Sequence, residues 1–129
     1  MNGFAIQALA VGGGAAIGAW ARWGLGFWLN PRVMNFPLGT FAANAIGGLL
    51  VGIAIAHFSA HESIPPAWRL FIITGFLGGF TTFSTYSAEV VGLFERGHLS
   101  WALGVALAHL AASLALTALG IWGYRALAA

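Results

Sequence analysis

Cysteine, lysine and aspartate are all missing from this sequence of 129 residues. Without cysteine there are neither disulfides nor thiolate metal sites, and the redox compartment stays open. Without lysine there is no Gly-Lys-Ser/Thr loop to cradle phosphate. The only acids are Glu62, Glu89 and Glu95, too dispersed to form a catalytic carboxylate pair. Charge of either sign is scarce, at 6% of residues against about 25% in a soluble domain. The five cations are arginines scattered at Arg22, Arg32, Arg69, Arg96 and Arg125, so a pI near 10.0 reflects no nucleic-acid patch. Little here serves an enzyme.

What remains is apolar. The hydrophobic fraction is 60% and the mean hydropathy +0.87. Such a chain cannot cover a water-facing surface, so lipid is its main solvent. A bilayer core about 30 Å thick takes roughly 20 apolar residues of helix. Four segments qualify, at about 4–29, 38–58, 67–94 and 99–127, within one transmembrane domain spanning 1–129. A barrel would need alternating apolar and polar strands, and these runs are continuously apolar. No basic stretch precedes the first run, which reads as a retained helix rather than a cleaved signal peptide. Asn30-Pro31-Arg32 ends the first segment, because proline cannot continue a helix. Glu95-Arg96-Gly97-His98 makes the last turn. Links this short run neighbouring helices antiparallel.

Positive charge in short loops orients a membrane protein. Arg69 and Arg125 fall on one side, and Arg32 and Arg96 on the other with Arg22 near it. A balance this close lets the chain insert in both orientations.

The third segment carries Thr74-Gly75-Phe76-Leu77-Gly78-Gly79-Phe80-Thr81-Thr82-Phe83-Ser84-Thr85-Tyr86-Ser87. Three glycines in five residues weaken a helix at mid-membrane, and hydroxyls follow at once. One reading is a kinked packing helix whose Ser and Thr bond to their own carbonyls. The other is a broken helix whose freed carbonyls suit a small hard cation such as Na⁺. Phe80, Phe83 and Ser84 share one face of a helix through this stretch, and a ring's positive edge can contact a dehydrated anion. Such a pair on its own is usually packing; its place beside the helix break is what raises the other reading.

Asn44 lies among apolar residues of the second segment, one turn after Thr40. Its NH₂ either bonds a neighbouring helix or donates to an anion. His109, Ser113 and Thr117 recur every four residues along the fourth segment, as helix glue or an anion track. Arg22 either snorkels to the interface or holds a positive potential at a pore mouth. Glu89 pairs with an arginine, lines a vestibule or relays protons. His57 and His61 have a metal-ligand spacing without an evident third ligand, and read as interfacial residues.

Essentially the whole chain resembles the bacterial fluoride channels (CrcB/Fluc). The resemblance rests on Gly18-Ala19 and Arg22, on Gly39-Thr40, Asn44 and Gly47-Gly48, and above all on residues 75–85. It implies an all-α membrane protein whose third helix is broken at its centre. It further implies an antiparallel, dual-topology homodimer with two pores in a bacterial inner membrane. A structural Na⁺ would sit between the subunits on the Gly75 and Gly78 carbonyls. Asn44, Phe80, Phe83, Thr81, Ser84, Ser113 and Thr117 would line the fluoride pore, and Arg22 its vestibule. Family members often carry Thr or Ser at Gly78, an exchange that leaves a carbonyl ligand intact. The activity implied is passive, selective fluoride export. The rivals are a small multidrug-type exporter, which relies on an acid that the first segment lacks, and a non-transporting assembly subunit.

Overall fold

A computed structural model describes residues 2–129, and they are helical almost throughout. Helix α1 spans Gly3–Leu29, begun by Asn2 Oδ1, which accepts from Ala5 N at 2.8 Å. Pro31 turns its end into one 3-10 turn over Asn30–Arg32. Helix α2 spans Leu38–Ala60. Its first amides are capped from a distance: Asn30 Oδ1 accepts from Gly39 N at 2.7 Å and Thr40 N at 3.1 Å. The third segment is assembled from pieces. Helix α3 (Pro66–Arg69) leads into a π-helical stretch, Leu70–Leu77, and then α4 (Gly78–Phe80). Thr81 and Thr82 are extended, at φ/ψ of −91°/159° and −152°/123°. Helix α5 then runs Phe83–Glu95, and α6 runs Leu99–Ala128.

The turn between α5 and α6 is a Schellman motif. His98 N donates to Leu93 O at 2.9 Å and Gly97 N to Phe94 O at 3.0 Å. Gly97 sits at φ +80°, a conformation that costs glycine nothing.

Helices α1, α2 and α6 are each long and apolar enough to cross a bilayer. At 27, 23 and 30 residues they reach about 35–45 Å. The chain is a multi-pass membrane protein. Helix α2 packs chiefly on α6, and α1 on the π-helical stretch. Lipid supplies no hydrophobic force between helices, so close backbone approach does the joining. A Cβ on Gly18 would overlap the Phe76 carbonyl, and one on Gly52 the Thr117 carbonyl. One apolar cluster (Ala54, Phe58, Leu77) joins α2 to the third segment, and another (Leu93, Ala102, Val105) joins α5 to α6.

Candidate functional site

The extended pair Thr81–Thr82 is held open by one side chain. Asn44 Oδ1 accepts from Thr82 N at 2.8 Å, and Asn44 Nδ2 donates to Thr82 O at 3.0 Å. Because a backbone N–H can only donate and a carbonyl only accept, this pairing fixes which way the amide points. In an unbroken helix Thr82 N would donate to the Gly78 carbonyl; here that carbonyl loses its usual partner. Thr82 then starts α5, its Oγ1 accepting from Thr85 N at 3.0 Å.

Asn44 Nδ2 has one proton left, and it meets His109 Nδ1 at 3.0 Å. An amide nitrogen cannot accept, so Nδ1 is the acceptor and the neutral imidazole carries its proton on Nε2. Tyr86 lies tilted against that ring, at 4.4 Å between centroids and 32° between planes, and its hydroxyl donates to Ala106 O at 2.8 Å. His109 is buried. Of the two readings of Asn44, the bond to neighbouring segments is formed within the chain: both its amide protons are committed, to Thr82 and His109.

Beside this network lies a cavity of about 420 Å³ whose wall includes Asn44, Gly78, Thr81, Phe83, His109 and Ser113. Phe80 lies apart from it. It is 5% exposed and stacked on Phe76 at 5.6 Å, whereas Phe83 is 79% exposed. The shared helical face expected of Phe80 and Phe83 is corrected. Two extended residues between them break the three-residue register.

Thr81 Oγ1 bonds back to Leu77 O at 2.8 Å, and Ser84 Oγ lies 3.4 Å from Thr82 Oγ1. Thr117 is off the cavity wall and donates to Gly48 O at 2.9 Å, fastening α6 to α2. Arg22 does not merely snorkel; its Nε donates to Gly79 O at 3.1 Å. Gly75 is buried against α1, and its carbonyl accepts from Gly78 N. Gly78 faces outward, and a Cβ there would meet only Ile73 O, at 3.7 Å.

A second cavity, of about 440 Å³, is lined by Asn30, Thr85, Glu89 and Arg96 among others. Thr40 Oγ1 donates to Glu89 Oε2 at 3.1 Å and receives Asn30 Nδ2 at 3.5 Å. Glu89 Oε1 is buried without a partner among the described residues. Sequence reasoning passed over Asn30 and Tyr86. The Asn-Pro turn before a glycine-led helix was the available signal for Asn30; nothing local marked Tyr86.

Residues 9–121 match the family described as CrcB-like protein, Camphor Resistance (CrcB). A "Fluoride-specific ion channel FluC" of Thiobacillus denitrificans is 56% identical over 119 residues, covering 91% of this chain and 94% of that protein. A protein of the same name from Pseudomonas putida is 56% identical over 113 residues, 88% and 89% of the two chains. Another from Cupriavidus metallidurans is 52% identical over 120 residues, 93% and 95% of the two.

Proposed function

This chain belongs to the CrcB-like family, and on that premise we propose that it is a fluoride-selective channel, not an enzyme. It carries F⁻ passively across the membrane and so lowers cytoplasmic fluoride. The chemistry that calls for it is that of a weak acid: HF crosses lipid, dissociates inside and leaves F⁻ trapped. The observation that carries the reading is the Thr81–Thr82 interruption clamped by Asn44, in a chain 56% identical to a relative named a fluoride-specific channel.

Fluoride gives up strong hydration when it enters a narrow path, so the path must offer donors in return. We assign the pore wall to Asn44, Phe80, Phe83, Thr81, Ser84, Ser113 and Thr117, with Arg22 in the vestibule. Asn44 serves by holding the interruption and by fixing the His109 tautomer, which adds an Nε2–H to the donors. Ring edges of Phe80 and Phe83 present weak positive potential to a bare anion. A path lined by such partners is too tight for larger anions.

The working unit in this proposal is an antiparallel homodimer with two pores. Exposed Thr74, Gly78 and Ser84 support it, because polar atoms and bare backbone facing lipid are costly unless a partner covers them. The near-tied arginine count supports the opposite insertions that such a dimer needs. A structural Na⁺ fits between the copies. The Gly78 carbonyl is released from Thr82 N, the Gly75 carbonyl keeps a second lone pair, and carbonyl oxygens suit a hard cation. When bound, the ion would supply the positive charge that holds two interruptions against each other.

Liposomes containing the purified protein test this. Fluoride efflux far faster than chloride efflux is expected, and a C-terminal tag should be reachable from both sides. No fluoride efflux, or chloride passing equally fast, overturns the channel. A tag on one side only overturns the dual insertion.

A further inference from the structure

The end of α2 carries a second histidine arrangement, which the proposed channel does not use. His57 and His61 stack with ring centroids 4.5 Å apart and planes at 29°. His57 is half-buried and His61 exposed. Each ring has one nitrogen engaged, and in both it is Nδ1. His61 Nδ1 meets His57 O at 2.9 Å, and His57 Nδ1 meets the Tyr124 hydroxyl at 2.9 Å. A carbonyl only accepts, so His61 Nδ1 carries a proton and, in the neutral ring, the Nε2 lone pair is free. Tyr124 can donate or accept. When it accepts from His57 Nδ1, the His57 Nε2 lone pair is free as well. Phe58 and Tyr124 both stand edge-on to the His57 ring, at 5.5 and 5.6 Å, and limit its rotation.

Metal-binding histidines have this form: one ring N–H given to a carbonyl, hydroxyl or water, the other nitrogen turned to the ion. Two imidazoles one helical turn apart can converge on one ion once the exposed His61 ring tilts. We propose that His57 and His61 form a two-imidazole site for a borderline divalent cation such as Cu²⁺, Ni²⁺ or Zn²⁺, with Tyr124 as the positioning residue. Imidazole nitrogen favours these ions over Mg²⁺ and Ca²⁺, which prefer oxygen. Among the described residues no group of three or more His, Cys, Asp or Glu side chains forms a metal cage. The site is therefore open, and water completes the coordination. Cu²⁺ should bind more tightly than Zn²⁺, following the usual order of divalent affinities.

Cu²⁺ titration of the full-length protein in detergent, read by electron paramagnetic resonance, tests the site. Copper held elsewhere on the chain persists in the His57→Gln/His61→Gln double variant and is subtracted. The remaining signal should show two imidazole nitrogens. His61→Gln, at an exposed position, should leave one nitrogen and weaken binding at least tenfold. His57→Gln keeps an amide for Tyr124 and should do the same. Tyr124→Phe should keep both nitrogens but bind several-fold more weakly, as loss of an outer-shell partner does. The proposal is overturned if the double variant binds Cu²⁺ as the parent does, or if the subtracted signal holds a single nitrogen. Unchanged affinity in Tyr124→Phe removes Tyr124 from the site.

Discussion

Helices α2 and α6 are tied together by a histidine twice, and the two ties differ in what they leave open. Nearly two turns into α2, Asn44 meets His109 on α6 at 3.0 Å, and the same amide pairs with both backbone groups of Thr82. In the last turn of α2, His57 meets Tyr124 at 2.9 Å, and among the described residues neither the His57 nor the His61 Nε2 is spoken for. Access to water bears on the difference. Away from water an unpaired donor is costly, so polar atoms there mostly pair with protein. At a helix end water is available, and a nitrogen can stay uncommitted at little cost. The first tie is a network that shapes backbone and leaves one ring N–H, on His109 Nε2, uncommitted; the second leaves both ring Nε2 atoms open.

The sharpest way to break this contrast is Asn44→Ala. It strips partners from Thr82 N, Thr82 O and His109 Nδ1 together. Each buried group left unpaired costs about 1–3 kcal/mol. The loss should exceed about 3 kcal/mol, seen as a large fall in thermal midpoint in detergent, with fluoride efflux abolished. If midpoint and efflux both survive, the network does not hold the interruption. Thr82→Val probes the same place more gently. It deletes the acceptor for Thr85 N and should cost about 1 kcal/mol, with Thr82→Ser restoring it. Equal midpoints for the Val and Ser variants would remove the cap from the account.

Much of the scaffold was legible from composition and run length. Segments read at 38–58 and 99–127 are observed as Leu38–Ala60 and Leu99–Ala128. The third segment was legible as special but not in detail. Its glycines signal weak helix, yet helical structure continues through Gly75 and Gly79, because both press against the α1 backbone. The extended residues are Thr81 and Thr82, and what extends Thr82 is Asn44, 38 positions away. No local propensity encodes such a partner. The same non-local clamp defeats the three-residue register of Phe80 and Phe83. Small residues were also unequal. Gly14 and Gly18 sit against the third segment, while a Cβ on Gly12 or Gly13 would meet nothing within 4 Å among the described residues.

The smallest expected effect belongs to the other tie. Tyr124→Phe removes one hydroxyl and keeps the ring that stands edge-on to His57. Interhelical hydrogen bonds in membranes average about 0.6 kcal/mol, since a lost partner is partly replaced. At a helix end, water replaces it readily. The thermal midpoint should fall by a degree or two, and fluoride efflux should match the parent. A loss as large as that of Asn44→Ala would mean the His57 end is sealed like the Asn44 network. The contrast between the two ties would then fail, and the free Nε2 atoms would lose the water access that a metal ion needs to reach them.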